Sequence, residues 1–337
     1  NDGSALSALP RPPRTLELAQ SLAEALARDG VTDGVADGLS ERIVTDALLR
    51  AEADRDQNVY FGPLFTRVLT QATPDLIFQP VSHAECACVL RWAREHAVPV
   101  TLRGAASTAM GGAVPNEGGL ALDLSRLDDI DLEAEAGVCV IGAGARLRTI
   151  HARLAARALA LKVYPSNLGG TLAGWFVTGG IGMNAYGRGR ALDAVRAADV
   201  LLPSGEHVRF HDDGRLDVPG EGGHRHTLAA AEAAGWFAAR GGPAMTLADL
   251  AGSEGTLGVV LHLTVTIEKR PAIGAFLLAF ENREGALAAA AWAGRDGARR
   301  PANIKYLSST HLHHARRAWA DDDARAWRAH PGELSSA

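Results

Sequence analysis

The chain has 337 residues, 47% apolar and 22% charged, which is enough to build real cores and too apolar for disorder; at roughly 100–200 residues per domain, two domains are expected. With 34 basic and 39 acidic residues the formal charge is −5, so there is no overall basic footprint for nucleic acid or an anionic membrane, and a small-molecule partner is the better expectation. Glycine is the unusual number: 37 residues, against 5% aromatics.

Only Lys162, Lys269 and Lys305 among the basic residues are lysines, a bias that reads as genome composition rather than as a phosphate-binding surface. Cys86, Cys88 and Cys139 are too few for a disulfide framework and suggest a reducing compartment. Apolar runs break well short of a membrane span, and no charged start with an apolar core opens the chain. The expected location is the cytoplasm, at most peripheral to the inner membrane.

In chain order, residues 1–57 show an almost wholly helical pattern, with Leu16, Leu18, Leu22 and Leu26 repeating at helical spacing. A strand–helix–strand unit follows: 77–79 extended, then Ser82 and Glu85 at capping-box spacing to start a helix through His96, then the β-branched run 98–101. Residues 120–124, 131–133 and 138–142 read as short strands, and 147–159 as a helix with Leu147, Ile150, Leu154 and Ala158 on one face. A glycine-dense stretch spans 165–189. Residues 197–202 and 207–210 then flank Pro203-Ser204-Gly205 as a hairpin, and 211–243 read as loop with a short helix over 228–239. Residues 259–267 form a strand. Beyond Pro271 a new unit is expected, with strands at 276–280 and 304–307 and helices at 284–292 and 311–327.

Two glycine clusters invite a ligand. The first, Arg103-Gly104-Ala105-Ala106-Ser107-Thr108 on to Gly112, directly follows a predicted strand. Small residues there let successive N–H groups share one concavity, so the loop is either a nest for a phosphate or an ordinary tight loop. The second runs from Pro165 and Ser166 through Gly169, Gly170, Thr171, Gly174, Thr178, Gly179 and Gly182 to Tyr186. It carries Leu, Ile, Trp, Phe and Val but few charges, so it must pack, and a flat apolar ring system would fit against it.

Familiar motifs fall away. Gly142-Ala143-Gly144 opens like a dinucleotide fingerprint, but Leu147 stands at the third glycine and no acidic residue ends a second strand. No Lys-Ser/Thr follows the first cluster, and no Gly-x-Ser-x-Gly occurs. Cys86 and Cys88 read as core, and His311, His313 and His314 as a solvated helix face, so no metal site is expected.

The ordered set resembles the FAD-binding domain of FAD-linked oxidoreductases of the vanillyl-alcohol oxidase and p-cresol methylhydroxylase (PCMH) type, which include D-lactate and glycolate dehydrogenases and alkylglycerone-phosphate synthase. Four blocks carry the resemblance over about residues 72–270: Gln79-Pro80-Val81-Ser82 with Val98-Pro99-Val100-Thr101; the 103–112 loop with Ala113-Val114-Pro115; the block from Thr171 to Tyr186-Gly187; and Gly252-Ser253-Glu254-Gly255-Thr256-Leu257-Gly258-Val259-Val260. The resemblance implies an α+β, two-subdomain PCMH-type fold over 72–270. An N-terminal helical extension (1–71) would precede it, and the start of an α+β cap (271–337) would follow, too short for the family's usual cap, as in a fragment of a longer enzyme.

It further implies that Arg103, Gly104, Ala105, Ala106, Ser107 and Thr108 cradle the FAD pyrophosphate. Pro165, Ser166, Gly169, Gly170, Thr171, Gly174, Thr178, Gly179, Gly182 and Tyr186 would line the flavin and the rest of the dinucleotide. Glu254 and Gly255 would help close the fold, and Val259 and Val260 would lie beside the adenosine. The loop lacks His or Cys, so FAD is expected to be non-covalent. The implied activity is oxidation of an alcohol or 2-hydroxy acid, D-lactate or glycolate in type, by hydride transfer to flavin N5, with oxygen, a quinone or a redox protein as acceptor. Tyr186, Lys305, Tyr306 and His311 are the candidates for base and substrate cation. Two alternatives remain: a non-redox flavin enzyme of the alkylglycerone-phosphate synthase type, suggested by Gly174-Trp175 and Met183-Asn184-Ala185-Tyr186-Gly187, and an FAD-binding subunit completed by a partner or a second copy.

Overall fold

The computed structural model describes residues 15–31, 36–56, 73–220, 224–272, 274, 276, 278–295, 301, 303–310 and 313. The chain divides into two units, Asn1–Pro271 and Ala272–Ala337.

In the first unit, helix α1 (Thr15–Arg28) buries Leu22, Ala25 and Leu26, one stripe at helical spacing. Helix α2 (Ala36–Arg42) runs into the two-residue strand β1 (Ile43–Val44), a departure from the almost wholly helical pattern expected here. Helix α3 (Ala47–Glu52) starts where the Asp46 carboxylate accepts from Leu48 N and Leu49 N. Strand β2 (Leu76–Phe78) then leads to helix α4 (His83–Glu95), where Ser82 Oγ accepts from Glu85 N at 3.2 Å. Strands β3 (Val100–Arg103) and β4 (Leu120–Asp123) complete a small sheet of order β1-β2-β4-β3. Its last three strands are parallel, as the α4 crossover requires, and β1 pairs antiparallel at the edge.

The large sheet is antiparallel. It takes β5 (Ile130–Glu133) and β6 (Val138–Gly142), followed by helix α5 (Leu147–Ala155) and the short strand β7 (Leu159–Leu161). Helices α6 (Leu172–Val177) and α7 (Ala185–Arg188) sit inside the glycine-dense stretch. Strands β8 (Val195–Leu201), β9 (His207–His211), β10 (Leu216–Pro219) and β11 (Arg225–Leu228) form a meander, and helices α8 (Ala230–Ala238) and α9 (Leu247–Leu250) lead to β12 (Val259–Lys269). The order is β11-β10-β9-β8-β12-β6-β5, with β7 on the far end of β12. β12 is therefore the spine: it pairs with β8 along one edge, with β6 and then β7 along the other, and buries most of its side chains. One continuous core joins α1, α4 and both sheets through Leu22, Trp92, Leu122, Ile141, Val200 and Leu263, so this unit is α+β.

Three expectations need correction. The helix expected to run to Leu159 ends at Ala155, because Ala158 turns left-handed (φ 56°) and frees the chain to enter β7. The loop expected over 211–243 contains β10 and β11, whose polar residues hide a ladder started by the edge of β9. In the second unit, residues 276, 278–280 and 303–308 are irregular where strands were expected. Helix α10 (Arg283–Ala293), capped by Asn282, buries no residue, and Phe276 and Leu278 are exposed. The helix expected over 311–327, with His311 and His314, falls outside the described residues apart from His313. Among the described residues, no helix is long and apolar enough to cross a membrane.

Candidate cofactor site

A cleft of about 1060 Å³, its open mouth included, lies between the two sheets of the first unit. One wall is the chain leaving β3, from Leu102 to Thr108, with Gly112 and Ala113. The other is Pro165, Asn167, Gly170, Thr171 and the first turns of α6, and Glu254, Gly255, Gly258 and Val260 close the end.

The β3 wall is held from behind. The Arg103 guanidinium donates to the carbonyls of Ala113 (2.6 Å), Ala53 (3.0 Å) and Arg55 (3.4 Å), and Gly111 N donates to the Asp56 carboxylate at 2.7 Å. Burial lowers the Arg103 pKa from its usual value, with Asp123, Asp56 and Asp54 opposing. Its donors are spent on the backbone, so it shapes the loop. The N–H groups of Ala105, Ala106, Ser107 and Thr108, by contrast, donate to no acceptor among the described residues, although all four residues line the cleft. Ala106 sits left-handed at φ 46°, a conformation that costs an alanine about 1–2 kcal/mol. Successive unspent N–H groups in a strained turn form an anion nest.

The opposite wall is pinned to the start of α5: Leu147 N donates to Gly170 O, Arg148 N to Leu168 O, and Arg146 to Gly169 O. Thr171, fully buried, accepts from Gly174 N at 3.1 Å and so starts α6. The two walls touch. Asn167 Nδ2 donates to Ser107 O at 3.3 Å, and Gly104 lies so close to Thr171 that a Cβ there would meet Thr171 Oγ1 at 2.7 Å. Glu254 is left-handed too (φ 55°); its N–H donates to Val177 O, and its carboxylate stands over Gly112, where a Cβ would meet Oε2 at 2.7 Å. It ties the last block to both walls, although reading the residues without the resemblance gave Glu254 no role of its own.

All six residues of the 103–108 stretch line this cleft, as do Pro165, Gly170, Thr171, Gly174, Thr178, Glu254, Gly255 and Val260. Ser166, Gly169, Gly179, Gly182 and Tyr186 do not. Gly182 packs against the Tyr164 carbonyl, Gly179 makes the positive-φ turn after α6, and Tyr186 is exposed on α7. Val259 lines a second cleft of about 970 Å³, mouth included, which shares Leu102, Gly255 and Gly258 with the first and continues over Leu90, Ala93 and Arg94 of α4. Lys305 and Tyr306 belong to the second unit, and His311 lies outside the described residues.

Sequence reasoning placed Asn167 only within the 165–171 block expected along the flavin, used Trp175 only as a pattern, and gave Ala143 no role. An Asn among glycines is an Asx-turn signal, and Asn167 Oδ1 does accept from Gly169 N at 3.0 Å. Ala143 reaches the cleft because Gly142 and Gly144 pack against the carbonyls of Leu127 and Leu124. The false dinucleotide fingerprint thus has a packing purpose. Among the described residues no group of His, Cys, Asp and Glu forms a metal site.

An α+β pair of layers enclosing a glycine-rich cleft with unspent backbone donors defines a nucleotide-cofactor domain. Residues 74–211 match the FAD binding domain family. The chain is 28% identical over 221 residues to a D-lactate dehydrogenase of Anaerostipes hadrus, covering 65% of this chain and 42% of that protein. It is 30% identical over 234 residues to a D-2-hydroxyglutarate dehydrogenase of Xanthomonas citri pv. viticola, covering 66% and 43%. An alkyldihydroxyacetonephosphate synthase structure shares the fold, with a TM-score of 0.55 at 20% identity over 77% of this chain and 40% of that one. Residues 74–211 are thus an FAD-binding domain similar to those of FAD-linked oxidoreductases, and the chain spans about two fifths of the length of these curated relatives. The cleft fits FAD: the four N–H groups with no acceptor among the described residues suit a pyrophosphate, and the apolar wall of Ala173, Trp175 and Val177 suits a ring system.

Proposed function

We propose that the chain is the cofactor-holding part of an FAD-dependent oxidoreductase that oxidises an alcohol or 2-hydroxy acid of the D-lactate or glycolate class by hydride transfer to flavin N5. The observation that carries this is the run of unspent N–H groups at Ala105, Ala106, Ser107 and Thr108 facing Gly170 and Thr171 across one cleft. In this reading those groups and the Ser107 and Thr108 hydroxyls bind the pyrophosphate, while Pro165, Gly174 and Thr178 flank the ring system. Val259 and Val260 guide the adenosine toward the second cleft. In this reading residues 72–270 are the FAD domain, residues 1–71 precede it and lend β1 to its small sheet, and residues 271–337 belong to a substrate cap.

Bound FAD supplies the hydride acceptor; the protein's part is position, water exclusion and electrostatics. Arg103 holds the loop and is not assigned to substrate. Attachment is non-covalent, since Ser107 and Thr108 stand in the loop in place of His or Cys. Cys86, Cys88 and Cys139 are buried, the first two with thiol pKa values pushed up to about 12, chiefly by burial. The reaction also needs a base for the hydroxyl proton and a cation for a substrate carboxylate, for which Tyr186 of the first unit and Lys305, Tyr306 and His311 of the second are the candidates. The reduced cofactor passes electrons to oxygen, a quinone or a redox protein.

Purified protein, loaded with FAD and desalted, tests the first step: it should retain flavin absorbance bands, and a protein that keeps none would sink the assignment. Anaerobic addition of D-lactate, glycolate or D-2-hydroxyglutarate should then bleach them. Turnover of a substrate with no reduction of an added dye would point instead to non-redox chemistry.

A further inference from the structure

The seam between α4 and the large sheet holds a group of side chains that the cofactor cleft does not use. His83 is the first residue of α4. Its ring stands edge-on to His262 of β12, with centroids 4.7 Å apart, and to His207 of β9, 5.5 Å apart. Both sheet histidines have a carboxylate at hand: His262 Nε2 is 2.6 Å from Asp129 Oδ2, and His207 Nε2 is 3.4 Å from Asp199 Oδ1.

The charges around His83 can be followed element by element. From β8 comes Asp199, held by Arg209 of β9 at 2.5 Å and by Arg225 of β11 at 3.2 Å; Arg225 also donates to His207 Nδ1 at 2.8 Å. From the turn before β5 comes Asp129, already engaged with His262. On α4 itself the nearest carboxylate is Glu85, fully paired with Arg42. Both sheet carboxylates are therefore taken, and His83 meets its neighbours ring to ring. His262 Nε2 is engaged with Asp129 and His207 Nδ1 with Arg225, and among the described residues no metal-binding group forms. His83 also sits at the positive end of the α4 dipole, which disfavours an imidazolium.

We propose that His83 is an acid-sensitive latch: neutral, it lets α4 lie against β9 and β12 and keeps the two layers closed on the cofactor cleft, and protonated, it pushes α4 off the sheet and loosens that cleft. The coupling is short. α4 is the crossover into β3, whose end delivers the 103–108 loop, and β12 begins at the far wall of the same cleft with Val260. Burial first, then the imidazoles of His262 and His207, push the His83 pKa down to about 4, with Asp199 and Asp129 opposing. Because the closed state resists the proton that an opened state takes up near pH 6.5, closure weakens as pH falls from about 6.5 toward 4.

The flavin arm of the test rests on the FAD reading; the stability arm does not. FAD-loaded wild type and His83→Gln are compared from about pH 7.5 to about pH 5 by flavin fluorescence on release and by urea unfolding. After allowing for solvent screening of a half-buried ring, FAD affinity of the wild type should fall about tenfold over that range, and its urea midpoint should fall with it. In His83→Gln, which cannot take the proton, both should change less than about twofold. Should that variant not fold, His262→Gln removes one of the imidazoles that push the His83 pKa down and should shrink the acid weakening. Equal pH slopes in wild type and His83→Gln, or an NMR titration of His83 in the folded protein near the ordinary value of about 6.5, would overturn the proposal. If no flavin is held even at about pH 7.5, the cofactor reading fails while the two urea series still decide the latch.

Discussion

Arg42, at the end of α2, and Glu85, in the first turn of α4, face each other as a bidentate ion pair sealed from solvent, Nη1 to Oε2 at 2.6 Å and Nη2 to Oε1 at 2.8 Å. Glu85 also accepts from Val81 N, and Arg42 donates to Gln79 O and lies 5.6 Å from the Phe78 ring centre. The pair fixes the N-terminal helices to the β2–α4 crossover, and neither charge has water to fall back on. Arg42→Met should therefore destabilise the protein by about 3–5 kcal/mol, read as a lower urea midpoint, because it leaves a buried carboxylate unpaired. Adding Glu85→Leu should recover much of that loss, and a double variant as unstable as the single one would show that the ion pair is not the cause.

Gly104 is a site where the two walls of the cleft leave no room for a side chain. In Gly104→Val the Cβ would meet Thr171 Oγ1 at 2.7 Å, and Thr171 cannot move away without releasing its cap on Gly174. The walls should part, and FAD affinity should drop at least about tenfold with little change in far-UV circular dichroism. Retention of flavin at wild-type level after desalting would show that the loop does not meet the cofactor.

Asn167 is the direct hydrogen bond between those walls, and it also makes the turn to Gly169. Asn167→Ala removes both at a cost of about 1 kcal/mol each at most, so a three- to ten-fold loss of FAD affinity is expected. Asn167→Asp keeps the turn acceptor but loses the donor to Ser107 O and adds a negative charge beside a pyrophosphate, so by titration it should bind FAD more weakly still than Asn167→Ala.

The parts of the fold that could be read in the sequence are those with local causes. Ser82 starts α4 because its hydroxyl accepts from Glu85 N three residues on, whereas the other half of the expected capping box is not formed, the Glu85 carboxylate going to Arg42 and Val81 N; Pro203-Ser204-Gly205 turns β8 into β9 for reasons held within the turn. β10 and β11 were hidden because Asp217, His226 and Thr227 are polar and their pairing is dictated by an edge far along the chain. The same division runs through the site. The 103–108 loop is legible from its small residues, whereas Glu254 and Ala143 enter the cleft through contacts with Val177 O and with packing around Leu124 and Leu127, which only the folded chain brings together.

Ala106 tests whether the strain in the loop serves the nest. Its left-handed φ of 46° is one that glycine adopts without cost. Ala106→Gly should thus leave stability within about 0.5–1 kcal/mol of wild type, the relief of strain offset by a freer unfolded chain. Ala106→Val should cost more than about 2 kcal/mol, since a β-branched residue resists this region. FAD titration separates the two roles. If the conformation holds the N–H groups of Ala105, Ser107 and Thr108 for the pyrophosphate, Ala106→Gly should bind FAD nearly as well as wild type and Ala106→Val far less well.

Asp199 gathers Arg209, Arg225 and His207 on the face of the large sheet. Burial raises its pKa, but the His207 hydrogen bond and the charges of Arg209 and Arg225 outweigh burial and hold the carboxyl well below the usual range. A carboxyl depressed in the folded state stabilises fully above its unfolded pKa of about 3.9, and that contribution is lost only as pH falls through the lower folded value. The acid sensitivity assigned to His83 lies higher, from about pH 6.5 downward, so the two are separable. Asp199→Asn should lower stability by about 3 kcal/mol at every pH between about 5 and 8, and should flatten the further loss seen below about pH 4. Urea midpoints across that range check it. A penalty that appears only below pH 6.5 would mean that Asp199 acts through the histidines rather than through its two arginines.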